Sequence, residues 1–206
     1  MTLERLEQNL INNKPAGLEG LSNNLVFGEG NPNAQLMIIG EAPGEDEDLS
    51  GRPFVGRAGQ LLDKILESVE IKREDIYITN IVKYRPPNNR NPKTEELKVS
   101  EPVLIEQIEI IRPQIIATLG NFSSQYLLNT KEGITRIHGE FREWRSGIRL
   151  MPIYHPAYLL RNPSREKGKP KWQTWQDMKK LKQALDELGP KSGQVVIDNS
   201  EQDGLF

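Results

Sequence analysis

Strands alternating with helices along the chain predict an α/β fold, a parallel sheet covered by helices on both faces. Three observations carry that prediction. Leu36-Met37-Ile38-Ile39 and the stretch from Ile148 to Tyr154 are apolar runs of the kind buried parallel strands produce. An amphipathic repeat from Ala58 to Val69, with Leu61, Leu62, Ile65 and Leu66 inward, separates the first run from the next strand. Both runs end in Gly/Pro-rich loops, and strand-end loops are where an open α/β sheet carries its active site.

The elements follow in order. Thr2 to Asn12 has helical spacing, with Leu3, Leu6 and Leu10 on one face. Leu36 to Gly40 is the first strand and Asp75 to Val82 the second. Lys83 to Pro92 is a rigid Pro/Asn loop. A helix capped by Thr94 runs to Ile111, with Glu95 and Glu96 near its positive end. Pro102 either kinks that helix or marks its true start. Gln114 to Leu119 is a third strand, and Asn121 to Leu128 a short helix. Phe141 to Trp144 and Ile148 to Ile153 form a hairpin joined at Ser146-Gly147. Trp172 to Leu188 is the last helix. No internal repeat is present. Residues 1–188 therefore read as one domain, and 189–206 as a polar, mobile tail without helical or strand period.

Composition narrows the class. A chain of 206 residues suits one domain with a sizeable core. Its formal net charge of -2 gives no global basic field. Basic residues are uneven, however. Lys83, Arg85 and Arg90 flank the Pro/Asn loop, and Arg161, Arg165, Lys167, Lys169 and Lys171 follow His155. These clusters are either a phosphate-binding surface or solvated loops. The absence of cysteine excludes disulfides and thiolate-ligated metals. Two histidines are too few for a histidine-rich metal site. No apolar run approaches a membrane span, and Met1-Thr2-Leu3-Glu4 does not begin a signal peptide. A soluble, cytoplasmic protein is expected.

The candidate site residues each admit two readings. The loop after the first strand, Gly40-Glu41-Ala42-Pro43-Gly44-Glu45-Asp46-Glu47-Asp48, matches neither phosphate-binding glycine pattern. Asp46, Glu47 and Asp48 are either a solvated run or acids that position a water or a metal. Glu41 stands apart, at the strand end between Gly40 and Pro43. Phe54 is either a core plug or a stacking surface for a planar ligand. Asn80, late in an apolar strand, either bonds neighbouring backbone or reads a heterocycle with an acceptor and a donor side by side. His155 is either structural or a donor to charge building on a leaving group.

Taken together, Gly40 to Glu45, Gly51 to Gly59, Thr79 to Lys83, Arg85 to Pro92 and His155 to Pro163 resemble, in order, the family 4 uracil-DNA glycosylases. The resemblance spans about Val26 to Leu188. It implies a three-layer α/β/α sandwich around a four-stranded, mainly parallel sheet, and hydrolysis of the bond between uracil and deoxyribose after base flipping. It implies that Phe54 stacks on uracil, Asn80 bonds its N3 and O4 edge, and His155 donates to O2. Glu41, with backbone of the Gly40 to Gly44 loop including Ala42, holds the attacking water. Leu159 wedges into the duplex, and Arg161, with Arg85 and Arg90, meets phosphate. A monomer acting on DNA at the nucleoid is expected.

Two departures from the family stand out. Its four cluster-binding cysteines are replaced by Asn13, Ala16, Tyr84 and Ser100, so no [4Fe–4S] cluster and no other cofactor is expected. Packing around Tyr84 and the helix from Thr2 is expected to take over that structural role. Ala42 occupies the position of the catalytic aspartate of related glycosylases, and Gly44 that of their thymine-blocking tyrosine, so the water-activating residue and the rejection of thymine stay open. Gln202, Leu205 and Phe206 resemble a peptide that docks on bacterial sliding clamps. The competing readings are a glycosylase of broader range (hypoxanthine, xanthine, mispaired thymine), a silent DNA-binding module, and a metal-dependent phosphoesterase.

Overall fold

The structure, a computed structural model, describes residues 1–188. Its elements are α1 (Leu3–Asn12), β1 (Glu29–Gly30), β2 (Leu36–Gly40), α2 (Glu45–Ser50), α3 (Arg57–Glu67), β3 (Tyr77–Asn80), α4 (Thr94–Ile111) and β4 (Ile115–Leu119). They continue with α5 (Asn121–Leu128), α6 (Ile134–Ile137), β5 (Arg142–Glu143), β6 (Arg149–Ile153), α7 (Pro156–Arg161) and α8 (Pro170–Asp186). One six-stranded sheet runs in the order β1-β3-β2-β4-β6-β5. Its four inner strands are parallel. The expected four-stranded core is therefore present, with a two-residue antiparallel ribbon added at each edge. Both ribbons carry charge: Glu29 in β1, Arg142 and Glu143 in β5. Glu29 accepts from Arg52 and Arg73.

Strand alternation divides the core into two layers. Met37, Ile39, Ile116 and Leu150 face α1 and α4, where Leu6, Leu104 and Ile108 are buried. Leu36, Ile38, Ala117 and Met151 face α3 and α8, where Leu62, Leu66, Met178 and Leu181 are buried. Pro102 stays inside α4 without ending it. The carbonyl it leaves without an amide donor belongs to Lys98, which is exposed to water. The hairpin turns at Ser146 and Gly147, both at positive φ. Among the described residues no helix is long and apolar enough to cross a membrane. The clamp-like residues Gln202, Leu205 and Phe206 lie outside the described residues.

Lys83 is a correction to the basic surface expected from sequence. It is 2% exposed, and its Nζ donates to Thr79 Oγ1 (2.6 Å), the Asn80 carbonyl (2.7 Å) and Gln107 Oε1 (2.5 Å). Burial pushes its pKa well below the usual lysine value. Three acceptors around one nitrogen nevertheless suit an ammonium, which has three protons to give. The group ties the end of β3 to α4.

Candidate active site

The four parallel strands end together, and register sets Gly40 beside Asn80 at that edge. A cavity of about 750 Å³ opens there, lined by Glu41, Phe54, Asn80, His155 and Arg161 among others. Gly40 is required by close approach, because a Cβ there would collide with Asn80 Oδ1 and lie 2.6 Å from Phe54 Cζ. Gly120, at φ +91°, likewise makes room for His155, whose Cβ would be 2.9 Å from an added Cβ.

Asn80 is 2% exposed, and its Oδ1 is buried without a hydrogen-bond partner among the described residues. An orphaned buried acceptor costs about 1–3 kcal/mol unless a bound molecule satisfies it. Phe54 is 6% exposed at φ +52° and packs into the α3 side of the core while lining the cavity. Phe54 is thus a core residue that also forms part of the cavity wall.

His155 caps the N-terminus of α7: its Nδ1 accepts from the Ala157 amide at 3.1 Å. That bond needs a lone pair on Nδ1, so the ring proton is on Nε2. Burial, aided by the Arg161 cation, pushes its pKa down to about 4. At neutral pH it is an uncharged donor whose ring lies 6.0 Å from that of Phe54. The other histidine is engaged elsewhere: His138 Nδ1 is 2.7 Å from Asp177 Oδ2, and its ring packs on Tyr154 at 4.6 Å.

Glu41 has a buried, unpartnered Oε1, and burial pushes its pKa up to about 7. A carboxyl poised near neutrality suits proton transfer. Ala42 lines the same wall but offers only a methyl group and backbone.

The acidic run is not simply solvated. Glu45 and Asp46 are exposed, but Glu47 Oε1 accepts from the amides of Val55 (2.9 Å) and Gly56 (2.8 Å), and its Oε2 from Gly44 (3.1 Å). One carboxylate thereby clamps the Glu41 loop to the Phe54 loop. Gly44 caps α2, and a side chain there would meet Glu47 Oε2 at 2.7 Å. Asp48 is 8% exposed with Oδ1 unpartnered. Among the described residues no group of three or more His, Asp or Glu could hold a metal ion.

The residues expected to touch DNA separate. Arg161 is exposed on the cleft. Arg90 lines it, but its guanidinium is already held by both Glu96 oxygens at 2.6 and 2.8 Å. Arg85 donates to Asn89 Oδ1 and lies 3.6 Å from Glu45. Leu159 is a correction: at 1% exposure it is buried within α7, the helix that packs against α3, rather than presented to the cleft.

The profile of the Uracil DNA glycosylase superfamily matches residues 27–179. The chain belongs to the uracil DNA glycosylase superfamily. It is 48% identical over 144 residues to the Type-4 uracil-DNA glycosylase of Thermotoga maritima, covering 69% of this chain and 75% of that protein. With the Type-4 enzyme of Saccharolobus solfataricus it shares 46% over 184 residues, covering 85% and 81%. A Type-5 uracil-DNA glycosylase of Pyrobaculum aerophilum is 33% identical over 153 residues, covering 66% and 67%.

The positions where the resemblance sets cluster ligands do not fit an iron–sulfur cluster. The chain has no cysteine. Tyr84 is 2% exposed, donates to the Leu10 carbonyl at 3.3 Å and lies 5.0 Å beneath the Lys14 ammonium. Ser100 is buried and donates to the Glu96 carbonyl at 2.7 Å. Neither group is a thiolate, so the site lacks the ligands such a cluster needs.

Proposed function

We propose that the protein is a uracil-DNA glycosylase that flips uracil out of DNA and hydrolyses its N-glycosidic bond, leaving an abasic site for base excision repair. The observation that carries this reading is the pairing of an orphaned Asn80 Oδ1 with a neutral His155 donor on one cavity. Uracil presents N3–H to the first and O2 to the second. Asn80 Nδ2 then meets O4, and Phe54 packs on the ring. Water oxygen attaches to C1′ while the C1′–N1 bond breaks and its electron pair moves onto uracil. His155 Nε2–H stabilises that charge at O2, and Glu41 orients the water and takes its proton. Arg161 binds phosphate beside the cleft.

A labelled oligonucleotide with one uracil, treated with the protein in EDTA and then with alkali, tests the reading. Cutting at uracil and not at matched thymine or hypoxanthine is expected. Cutting at hypoxanthine would favour the broader glycosylase, loss of activity in EDTA a metal-dependent enzyme, and binding without cutting the silent module.

Glu41 gives a pH signature. Uracil release should fall about tenfold per unit below pH 7 as the carboxyl protonates, and His155, neutral down to about pH 4, should add no limb there. Glu41→Gln should be slow with that limb abolished. Because the folded-state pKa is raised from 4.5 to about 7, the ionised group costs stability that grows from pH 4.5 to 7. The variant should therefore be more stable at pH 8, by about 1–3 kcal/mol after allowance for partial exposure. Equal urea midpoints at that pH would contradict this.

In place of an iron–sulfur cluster, we assign the bracing of the N-terminal segment to Tyr84 and its contacts with Leu10 and Lys14. Tyr84→Ala should cost about 3–5 kcal/mol in chemical denaturation. Stoichiometric iron in native protein would refute the assignment. Gln202, Leu205 and Phe206 are proposed to tether the enzyme to a sliding clamp, which deletion of 202–206 should abolish in a pull-down.

A further inference from the structure

A flipped nucleotide leaves a gap in the base stack, and an enzyme that holds the base out needs an apolar group at the cleft rim to fill it. Leu159 cannot serve from its buried position. Tyr158 is already engaged, stacked on Tyr154 at 5.4 Å and 18°. Phe122 is different. It is 40% exposed, and among the described residues it is the only large apolar side chain that is both exposed and on the cleft wall. It makes no ring–ring or cation–π contact among those residues.

Its mounting is rigid. Phe122 is the second residue of α5, two after Gly120, the glycine pressed against His155. On one side Asn121 Oδ1 accepts from the Ile134 amide at 3.0 Å, and its Nδ2 donates to Gln125 at 2.9 Å. On the other, Ser123 donates to the Leu119 carbonyl at 2.8 Å, and Ser124 to the Gly120 carbonyl at 2.6 Å. A free aromatic ring is thus carried on a fixed helix start, beside the group assigned to the leaving base. Arg161 on the same cleft supplies positive charge for the strand.

We propose that Phe122 stacks on the base neighbouring the flipped uracil and holds the gap open. The inference rests on the uracil-DNA reading of the site. The test uses the whole chain and a duplex bearing 2′-fluoroarabino-uracil, which resists hydrolysis, beside the fluorescent base 2-aminopurine. Native protein should bind and change the 2-aminopurine emission. Phe122→Ala should keep its melting temperature, bind about tenfold more weakly and lose most of the emission change. Phe122→Trp should restore both. Leu159→Ala should keep the emission change and lose thermal stability. The proposal is overturned if Phe122→Ala matches native protein in affinity and emission while native protein cuts a uracil oligonucleotide. It is equally overturned if Leu159→Ala loses the emission change at an unchanged melting temperature. Failure of native protein to cut uracil would remove the parent reading, and this one with it.

Discussion

Uracil excision is expected to slow about 10²–10³-fold when His155 becomes alanine, with the loss in kcat rather than in DNA affinity. The reasoning starts from charge. Breaking the glycosidic bond leaves an electron pair on uracil, and a donor already aimed at O2 stabilises it without reorganisation. His155 is neutral and carries its proton on Nε2, because Nδ1 accepts from the Ala157 amide and burial holds the pKa near 4. It therefore gives little to the uncharged ground state and much to the developing anion. The change also removes a helix cap, at a cost of about 1 kcal/mol. A structural role alone would lower the melting temperature and leave kcat intact at low temperature. Single-turnover rates at saturating enzyme separate the two outcomes.

Asn80→Asp should be nearly as severe on uracil, lowering kcat/KM by about 10²-fold or more. The amide offers an acceptor to N3–H and a donor to O4. A carboxylate offers two acceptors, so O4 faces an oxygen and both groups lose a partner in a buried setting. The same change suits cytosine better, whose edge presents a donor where uracil has O4. Parallel assays on uracil and cytosine oligonucleotides test this; retention of full uracil activity would remove Asn80 from base recognition. The Lys83 ammonium bonds the backbone carbonyl of residue 80 and not its side chain, so the strand end should hold in the variant.

The inner strands and the strand-end placement of Glu41, Asn80 and His155 were legible in the sequence because apolar runs mark buried parallel strands and punctuation marks their ends. Other features were not, for identifiable reasons. Glu47 reads as one acid among several, since its partners are backbone amides of Val55 and Gly56, which leave no trace in residue type. Lys83 reads as surface charge because one of its acceptors, Gln107, is brought close only by the packing of α4. Helix α7 is too short to show a period, so the inward face of Leu159 was invisible. The ribbon β1, two residues long, falls below any alternation signal, whereas β5 lies within the strand expected from Phe141 to Trp144 and pairs with β6 as that hairpin required.

Those two ribbons bear on what the sheet offers to another chain at its edges. An open parallel sheet ends in strands whose free amides and carbonyls are a template for another chain, the usual start of edge-to-edge aggregation. Here each inner edge is covered by only two residues of antiparallel strand, too short to nucleate a foreign strand. Glu29, Arg142 and Glu143 place charge where an incoming backbone would have to lie. An edge two rungs long and guarded by charge is a poor template for a second copy of the chain.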